Sequence, residues 1–408
     1  MFPKLRFKEF DENWKEVTLK NCITSIDSGW SPQCESYPAN SSEWGVLKTT
    51  SVDWSGFNSS FNKKLPLELT PRKEIEVKPL DILVTRAGPT ERVGVVSVVP
   101  HSVRSKLMIS DKLIRLKSNE ENNPLFLGIS LSSVKCQNQL QSKTSGLAKS
   151  QTNISQKILG EVLLKLPSKE EQTKIASFLS SVDEKISQLT QKHELLSQYK
   201  QGMMQKLFSQ QIRFKADDGS EFGEWENTVL GDIADIVGGG TPSTNNQAYW
   251  SGDVVWLTPS EINQKFIGES KRTISELGVQ KSSAKKLPIG TILFTSRATI
   301  GEVAIAIAEV TTNQGFQSFI SNEKTFNEFL YYWIVNNKKS FIERASGSTF
   351  LEISKSKIQP MEISLPCLEE QTKIANFLSA IDQKIEVVAQ QIEQAKQWKK
   401  GLLQQMFI

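Results

Sequence analysis

Two histidines and four cysteines in 408 residues leave little material for metal or nucleophilic chemistry. Cys22, Cys34, Cys136 and Cys367 form no CxxC pair, so reduced structural thiols are expected rather than a zinc site. His101 and His193 stand in unrelated contexts, and no Ser/His/Asp or Cys/His set can be assembled around them. No apolar run approaches the ~20 residues needed to cross a bilayer, and the opening MFPKLRFKEFDENW is too charged for a secretory signal. A cytoplasmic location without a membrane partner is therefore expected. No G-x-x-x-x-G-K-[ST] loop occurs; Gly238-Gly239-Gly240-Thr241 is not followed by lysine. Asn123-Pro124-Leu125-Phe126 approaches the Asn/Asp-Pro-Pro-aromatic loop of an amino-methyltransferase but lacks the second proline. Asp183-x-Lys185 and Asp382-x-Lys384 lack the upstream acid that a nuclease pair would need. The chain is expected to catalyse nothing by itself and to hold no metal.

Charge of one sign is also scarce. The net charge is +4, made of +6 over residues 1–167 and −3 over residues 211–366, with the remainder near zero. Any attraction to nucleic-acid phosphates must come from local patches or from a partner.

What is present is a repeat. LPSKEEQTKIASFLSSVDEKI from Leu166 returns as LPCLEEQTKIANFLSAIDQKI from Leu365, 199 positions later and without a gap. In the first copy Ile175, Leu179, Val182, Ile186, Leu189, His193, Leu196, Lys200, Met203 and Leu207 step by four and three alternately. Ile374, Leu378, Ile381, Ile385, Val388, Ile392, Ala395, Lys399, Leu402 and Met406 do the same in the second. That is a heptad seam, the mark of helices that pair along their length, each about 40 residues or roughly 60 Å. The partner for each lies in the same polypeptide, so an antiparallel intramolecular pair is expected. Ser168 with Glu171 predicts a capping box, whereas Cys367 is a poor cap. Lys200 and Lys399 fall on the seam and are expected to snorkel.

The repeat extends upstream. Arg6-Phe7-Lys8 faces Arg213-Phe214-Lys215, Trp14 faces Trp225, and Pro32 faces Pro242. KPLDILVTRAGPTERVGVVSVV from Lys78 parallels LPIGTILFTSRATIGEVAIAIAEV from Leu287, each a β-rich run, a loop holding arginine, a glycine and a second β-rich run. ISDKLIRLK from Ile109 parallels TNQGFQSFI from Thr312, and NPLFLGISLSS from Asn123 parallels FNEFLYYWIVNN from Phe326. The predicted class is α+β: a globule at 1–167, a helix at 168–210, a similar globule at 211–366 and a second helix at 367–408, tandem-duplicated and pseudo-twofold. Trp14, Trp225 and Trp256 are read as core.

Two similar globules, each followed by a heptad helix opening LPxxEEQTKIAxFLSxxDxKI, resemble the specificity subunit of type I restriction–modification enzymes. The likeness spans essentially the whole chain. It implies two target recognition domains that each read one half of an asymmetric bipartite site on double-stranded DNA, with the helices setting the spacer. It further implies a bacterial or archaeal cytoplasmic complex with two methyltransferase subunits carrying S-adenosylmethionine. Restriction–translocase subunits using ATP and Mg complete that complex. On this likeness the methyltransferase subunits would dock on the helix face bearing Lys174, Lys185, Lys373 and Lys384. An adaptor with two protein-binding domains on a coiled coil is the alternative, favoured by the −3 balance of residues 211–366.

Arginine pairs bidentately with guanine and Asn/Gln with adenine, which makes polar loop residues between strands the candidate readers. In the first globule these are Lys48, Thr49, Arg86, Arg92, Lys143 and Ser145. The second contributes Thr241, Ser243, Thr258, Ser260, Arg297, Asn313, Gln314 and Ser346. Arg86 and Arg297 lead, since both follow a strand in corresponding loops.

Overall fold

A computed structural model describes residues 3–143, 152–297, 299–347 and 351–407. Two long helices, Lys169–Phe208 and Leu368–Met406, follow the two globular segments. The chain divides into two units, Met1–Leu189 with Gln391–Ile408, and Thr190–Gln390. Each unit thus joins one globule to the opening of one long helix and the closing turns of the other.

Within each unit the helical segments run antiparallel. In the first unit Lys399 Nζ pairs with Asp183, and in the second Lys200 Nζ pairs with Asp382. Adding 199 to Asp183 gives Asp382 and to Lys200 gives Lys399, so this is one contact made twice. The seam lysines make these ion pairs rather than merely snorkelling. Ile175, Leu179, Val182, Ile374, Leu378 and Ile381 are buried as the heptads predict. Near its end the first seam moves by one position: Met204, not Met203, is buried. The shift is local, since Leu207 is buried as predicted and the second copy keeps Leu402 and Met406 buried.

The first globule is built on a four-stranded antiparallel sheet ordered Ile23–Ser28, Leu113–Ser118, Ile82–Thr85 and Val96–Val98. Both faces of its central strands are covered, so Ile82-Leu83-Val84 is an unbroken apolar run, while Leu113–Ser118 carries the buried Arg115, paired with Asp27 and Asp81. Ile82, Val84, Ile114 and Leu116 face a core shared with the helix Pro124–Ser132 and the long helices, while Leu83 and Leu113 face a second cluster with Val46, Leu47 and Leu107. The second globule repeats the plan, with Ala234–Gly238, Gln317–Ser321, Ile292–Phe294, Val303–Ala306 and a short parallel edge, Phe266–Ile267. There Ile292 and Phe294 face one core and Leu293 the other.

Each globule is closed where it meets its helix. Lys15–Thr18 pairs antiparallel with Leu163–Leu166, and Glu226–Val229 with Glu362–Leu365. Arg6 donates through Nε and Nη2 to Glu171 at 2.7 Å each, and Trp14 Nε1 donates to the same carboxylate at 3.3 Å. Arg213 and Trp225 treat Glu370 identically, at 3.0, 2.7 and 3.0 Å. The next residue completes the joint: Gln172 Oε1 accepts from Asn123 N at 3.0 Å and Gln371 Oε1 from Phe326 N at 2.8 Å. The predicted capping box is half formed. Glu171 N donates to Ser168 Oγ at 3.3 Å, but the Glu171 carboxylate is turned toward Arg6 and Trp14, a charged donor outcompeting a backbone N–H.

Trp14, Trp225 and Trp256 are buried, consistent with a core role. Lys174 and Lys373, expected on an outer docking face, pair with carboxylates of the lead-ins, Lys174 with Glu9 and Lys373 with Asp217. Asn123 caps the helix that follows it, accepting from Leu125 N and Phe126 N at 3.0 and 3.1 Å.

Candidate nucleic-acid interface

In the second unit, four strand-end loops are stitched together by main-chain bonds. Gly240 N donates to Thr312 O at 2.8 Å, Asn313 N to Leu257 O at 3.0 Å, Ser296 N to Gly315 O at 2.7 Å and Ile353 N to Ser296 O at 3.1 Å. The approach is close enough that a Cβ on Gly239 would lie 2.1 Å from Asn313 O, so glycine is demanded there by contact rather than by phosphate binding. The stitching brings Thr241, Thr258, Arg297, Asn313 and Gln314 into one cluster, and Ser346 joins through its two-way backbone pairing with Glu352. Thr241 and Gln314 are exposed and hydrogen-bond one another through Oγ1 and Oε1. Thr258 Oγ1 donates to Glu261 Oε2 at 2.7 Å and lies 3.2 Å from the exposed Ser260 hydroxyl. Ser243, also exposed, accepts from Trp250 Nε1 through its carbonyl at 3.1 Å. Asn313 Oδ1 accepts from Gly315 N at 2.8 Å, shaping its own turn.

The first unit uses the same backbone scheme. Gly29 N donates to Ser110 O at 3.3 Å, Trp30 N to Ile109 O at 3.1 Å, Arg86 N to Lys112 O at 2.8 Å and Ile154 N to Arg86 O at 3.0 Å. Ser31 Oγ donates to Asp111 Oδ1, the counterpart of the Thr241–Gln314 contact. Ser31, Asp111 and the exposed Lys112 therefore occupy the places of Thr241, Gln314 and Gly315 and belong among the candidates. The alignment of ISDKLIRLK with TNQGFQSFI already carried that signal, since it sets Asp111 against Gln314. Lys48 and Thr49, partly exposed, stand where Thr258 and Pro259 stand in the second unit, before matching short 3-10 turns at Thr49–Ser51 and Pro259–Glu261.

The candidate arginines have three different environments. Arg92 is committed within its own globule: Nη1 pairs with Asp53 at 2.5 Å, Nη2 donates to Val52 O at 2.8 Å, and the Arg92–Asp53 hydrogen bond holds the Asp53 carboxyl below its ordinary range. Arg297 Nε pairs with Glu352 at 2.8 Å on a half-exposed surface. Arg86 is partly exposed beside Lys112. The loops of Arg86 and Arg297 do correspond, yet the residues do not. Thr85 matches Thr295, because each hydroxyl accepts from the start of the next strand, Val95 N at 2.9 Å and Glu302 N at 3.0 Å. Arg86 thus matches Ser296, and Arg297 matches Ala87, one position on. In extended backbone neighbouring residues project to opposite sides, so the two arginines are not presented equivalently. Lys143 is exposed at the end of the helix Val134–Ser142, and Ser145 lies outside the described residues.

No helix among the described residues is long and apolar enough to cross a membrane. The family model for the type I restriction modification DNA specificity domain matches twice, over residues 12–198 and 223–397. A curated relative, the type I restriction enzyme MjaIX specificity subunit of Methanocaldococcus jannaschii, is 38% identical over 49% of this chain and 48% of its own length. The EcoEI specificity subunit of Escherichia coli is 40% identical over 41% of this chain and 29% of its own. The matches thus span about half or less of these two relatives. A more distant one, the putative MjaX specificity subunit of M. jannaschii, is 27% identical over 98% of this chain and 94% of its own length. Among solved structures, the type I S subunit from M. genitalium shares the fold with a TM-score of 0.60, at 16% identity and covering 100% of this chain and 99% of that one. With two copies of the domain in tandem, the chain belongs to the type I restriction–modification DNA specificity family.

Proposed function

We propose that each unit reads one half of an asymmetric bipartite site on double-stranded DNA through its strand-end loop cluster, that the long helices set the spacer, and that the chain docks two methyltransferase subunits while catalysing nothing itself. One observation carries this reading. The two clusters share a main-chain scheme but differ in nearly every side chain: Lys48, Arg86, Asp111 and Lys112 in one stand against Thr258, Ser296, Gln314 and Gly315 in the other. A common scaffold with different hydrogen-bonding edges suits two readers of different base sequences. S-adenosylmethionine would be brought by the methyltransferase subunits, and ATP and Mg by restriction–translocase subunits.

The test is methylation mapping in a host carrying this chain and its methyltransferase partner. A gapped, asymmetric motif is expected; methylation without sequence preference would overturn the reading. Arg86→Ala should relax one half and Arg297→Ala the other, each by about 1–3 kcal/mol of discrimination. Relaxation of the same half by both would show that the two units do not read separate halves.

A further inference from the structure

The two units differ at one place where their plan is otherwise the same. In the second, the Lys265 side chain reaches from the segment before Phe266–Ile267 toward the long helix. Its ammonium meets Glu328 at 2.6 Å, Tyr332 Oη at 2.9 Å and Ser379 Oγ at 3.2 Å, and lies 5.5 Å from the Tyr331 ring. Tyr332 Oη in turn donates to Asp382 at 2.6 Å. Phe126 and Phe329 match, each packing against Trp14 or Trp225 and against Phe407 or Phe208. By that match and the 199 offset, the residues facing Lys265 correspond to Leu125, Gly128, Ile129 and Ser180 in the first unit. All four line an open groove of about 780 Å³. Leu125, Gly128 and Ile129 stand where Glu328, Tyr331 and Tyr332 stand, Ser180 keeps the serine of Ser379, and the lysines that line this groove, Lys135, Lys399 and Lys400, come from helices rather than from the segment matching Lys265.

We propose that this groove accepts an apolar side chain, flanked by a carboxylate, from a methyltransferase subunit, so that the first unit holds its copy through a contact the second unit fills from within. The second unit shows the shape of the plug: a long side chain entering between the globule and the helix. Chemistry at the rim selects the occupant. Trp54 is half exposed there, and Lys135 and Lys400 are exposed and make no ion pair with a described residue. The residue matching Lys400 by the 199 offset is Gln201, and Lys338, which matches Lys135 on the Phe126–Phe329 alignment, is paired with Glu302, so the second unit lacks this pair of free ammonium groups. An apolar pocket beside ammonium groups that pair with no described residue favours an apolar–acidic segment, and the groove is walled in part by Ser180, Asp183 and Leu403 of the long helices, the elements on which the methyltransferase subunits are proposed to dock.

This inference rests on the methyltransferase-docking part of the proposed function, and one titration separates the two. Purified chain is titrated with its methyltransferase subunit without DNA and read by native mass spectrometry and calorimetry. Two copies should bind with unequal affinity. Trp54→Ala, and separately Lys135→Glu with Lys400→Glu, should weaken the tighter site about tenfold or more, leave the weaker site and the thermal melt unchanged, and Gln201→Glu should do nothing. Two copies bound alike, with affinities indifferent to these variants, would overturn the groove proposal and leave the proposed function standing. Failure of any copy to bind would overturn the docking reading itself. Self-association of the chain alone that Trp54→Ala abolishes would assign the groove to a second copy and overturn the proposal.

Discussion

Glu171 and Glu370 are almost fully buried, 1% and 0% exposed, and each is matched to an arginine and a tryptophan N–H. Removing one partner of such a pair strands the other charge, which costs about 3–5 kcal/mol. Arg213→Ala, which strands the fully buried Glu370, should lower the urea midpoint accordingly, with Arg213→Lys falling between it and the wild type; an unchanged midpoint would deny the joint its role. Arg92 provides a contrast on the surface. Because Asp53 is held below its ordinary pKa by Arg92, the pair adds stability that is fully present above about pH 4 and fades as pH falls through the folded value. Arg92→Ala should therefore cost of order 1 kcal/mol or less at neutral pH, and the part of that cost due to Asp53 should vanish once Asp53 is protonated in the folded protein, read from denaturant midpoints across pH. At this scale the sequence was least legible. The role of Glu171 depends on Arg6, 165 residues away, so its spacing from Ser168 pointed to a local box instead. Likewise, which way Arg86 and Arg297 project depends on a one-residue register that only the Thr85 and Thr295 hydrogen bonds define.

The long helices were readable because their signal is periodic and repeated. A four–three step sustained over ten positions, twice, has few explanations besides a paired helix, and the exact 199-residue offset fixed which positions correspond. What the pattern could not reveal was the antiparallel register, since that is set by Asp183–Lys399 and Lys200–Asp382 across the pair. That register changes the design of a ruler experiment. Deleting Glu184–Thr190 alone removes one heptad, about 10 Å, between Asp183 and Lys200 while leaving the interval from Asp382 to Lys399 intact, so the two ion pairs can no longer form together. A matched deletion of Gln383–Ala389 should restore both. The double deletion is expected to methylate a motif with a shorter spacer and unchanged halves, and the single deletion to lose much of its activity. Equal behaviour of the two would show that the helices do not measure the gap.

At the scale of the whole molecule, duplication, fold class and family were all legible from one sequence, because a repeat supplies its own alignment. The open groove of the first unit was not, since Leu125 and Ile129 looked like an ordinary apolar helix face until Lys265 showed what occupies the corresponding space. The repeated ion pair leads further. Asp183 and Lys200 both lie in the first repeat, and each finds in the second repeat the equivalent of the other. A gene ending after Gln210 would encode both halves of that bond in one short polypeptide. Two such chains can satisfy each other head to tail, and light scattering should find a homodimer. Its DNA target, if methylated in the presence of the partner, should read the same on both strands: a palindrome made from half of an asymmetric reader.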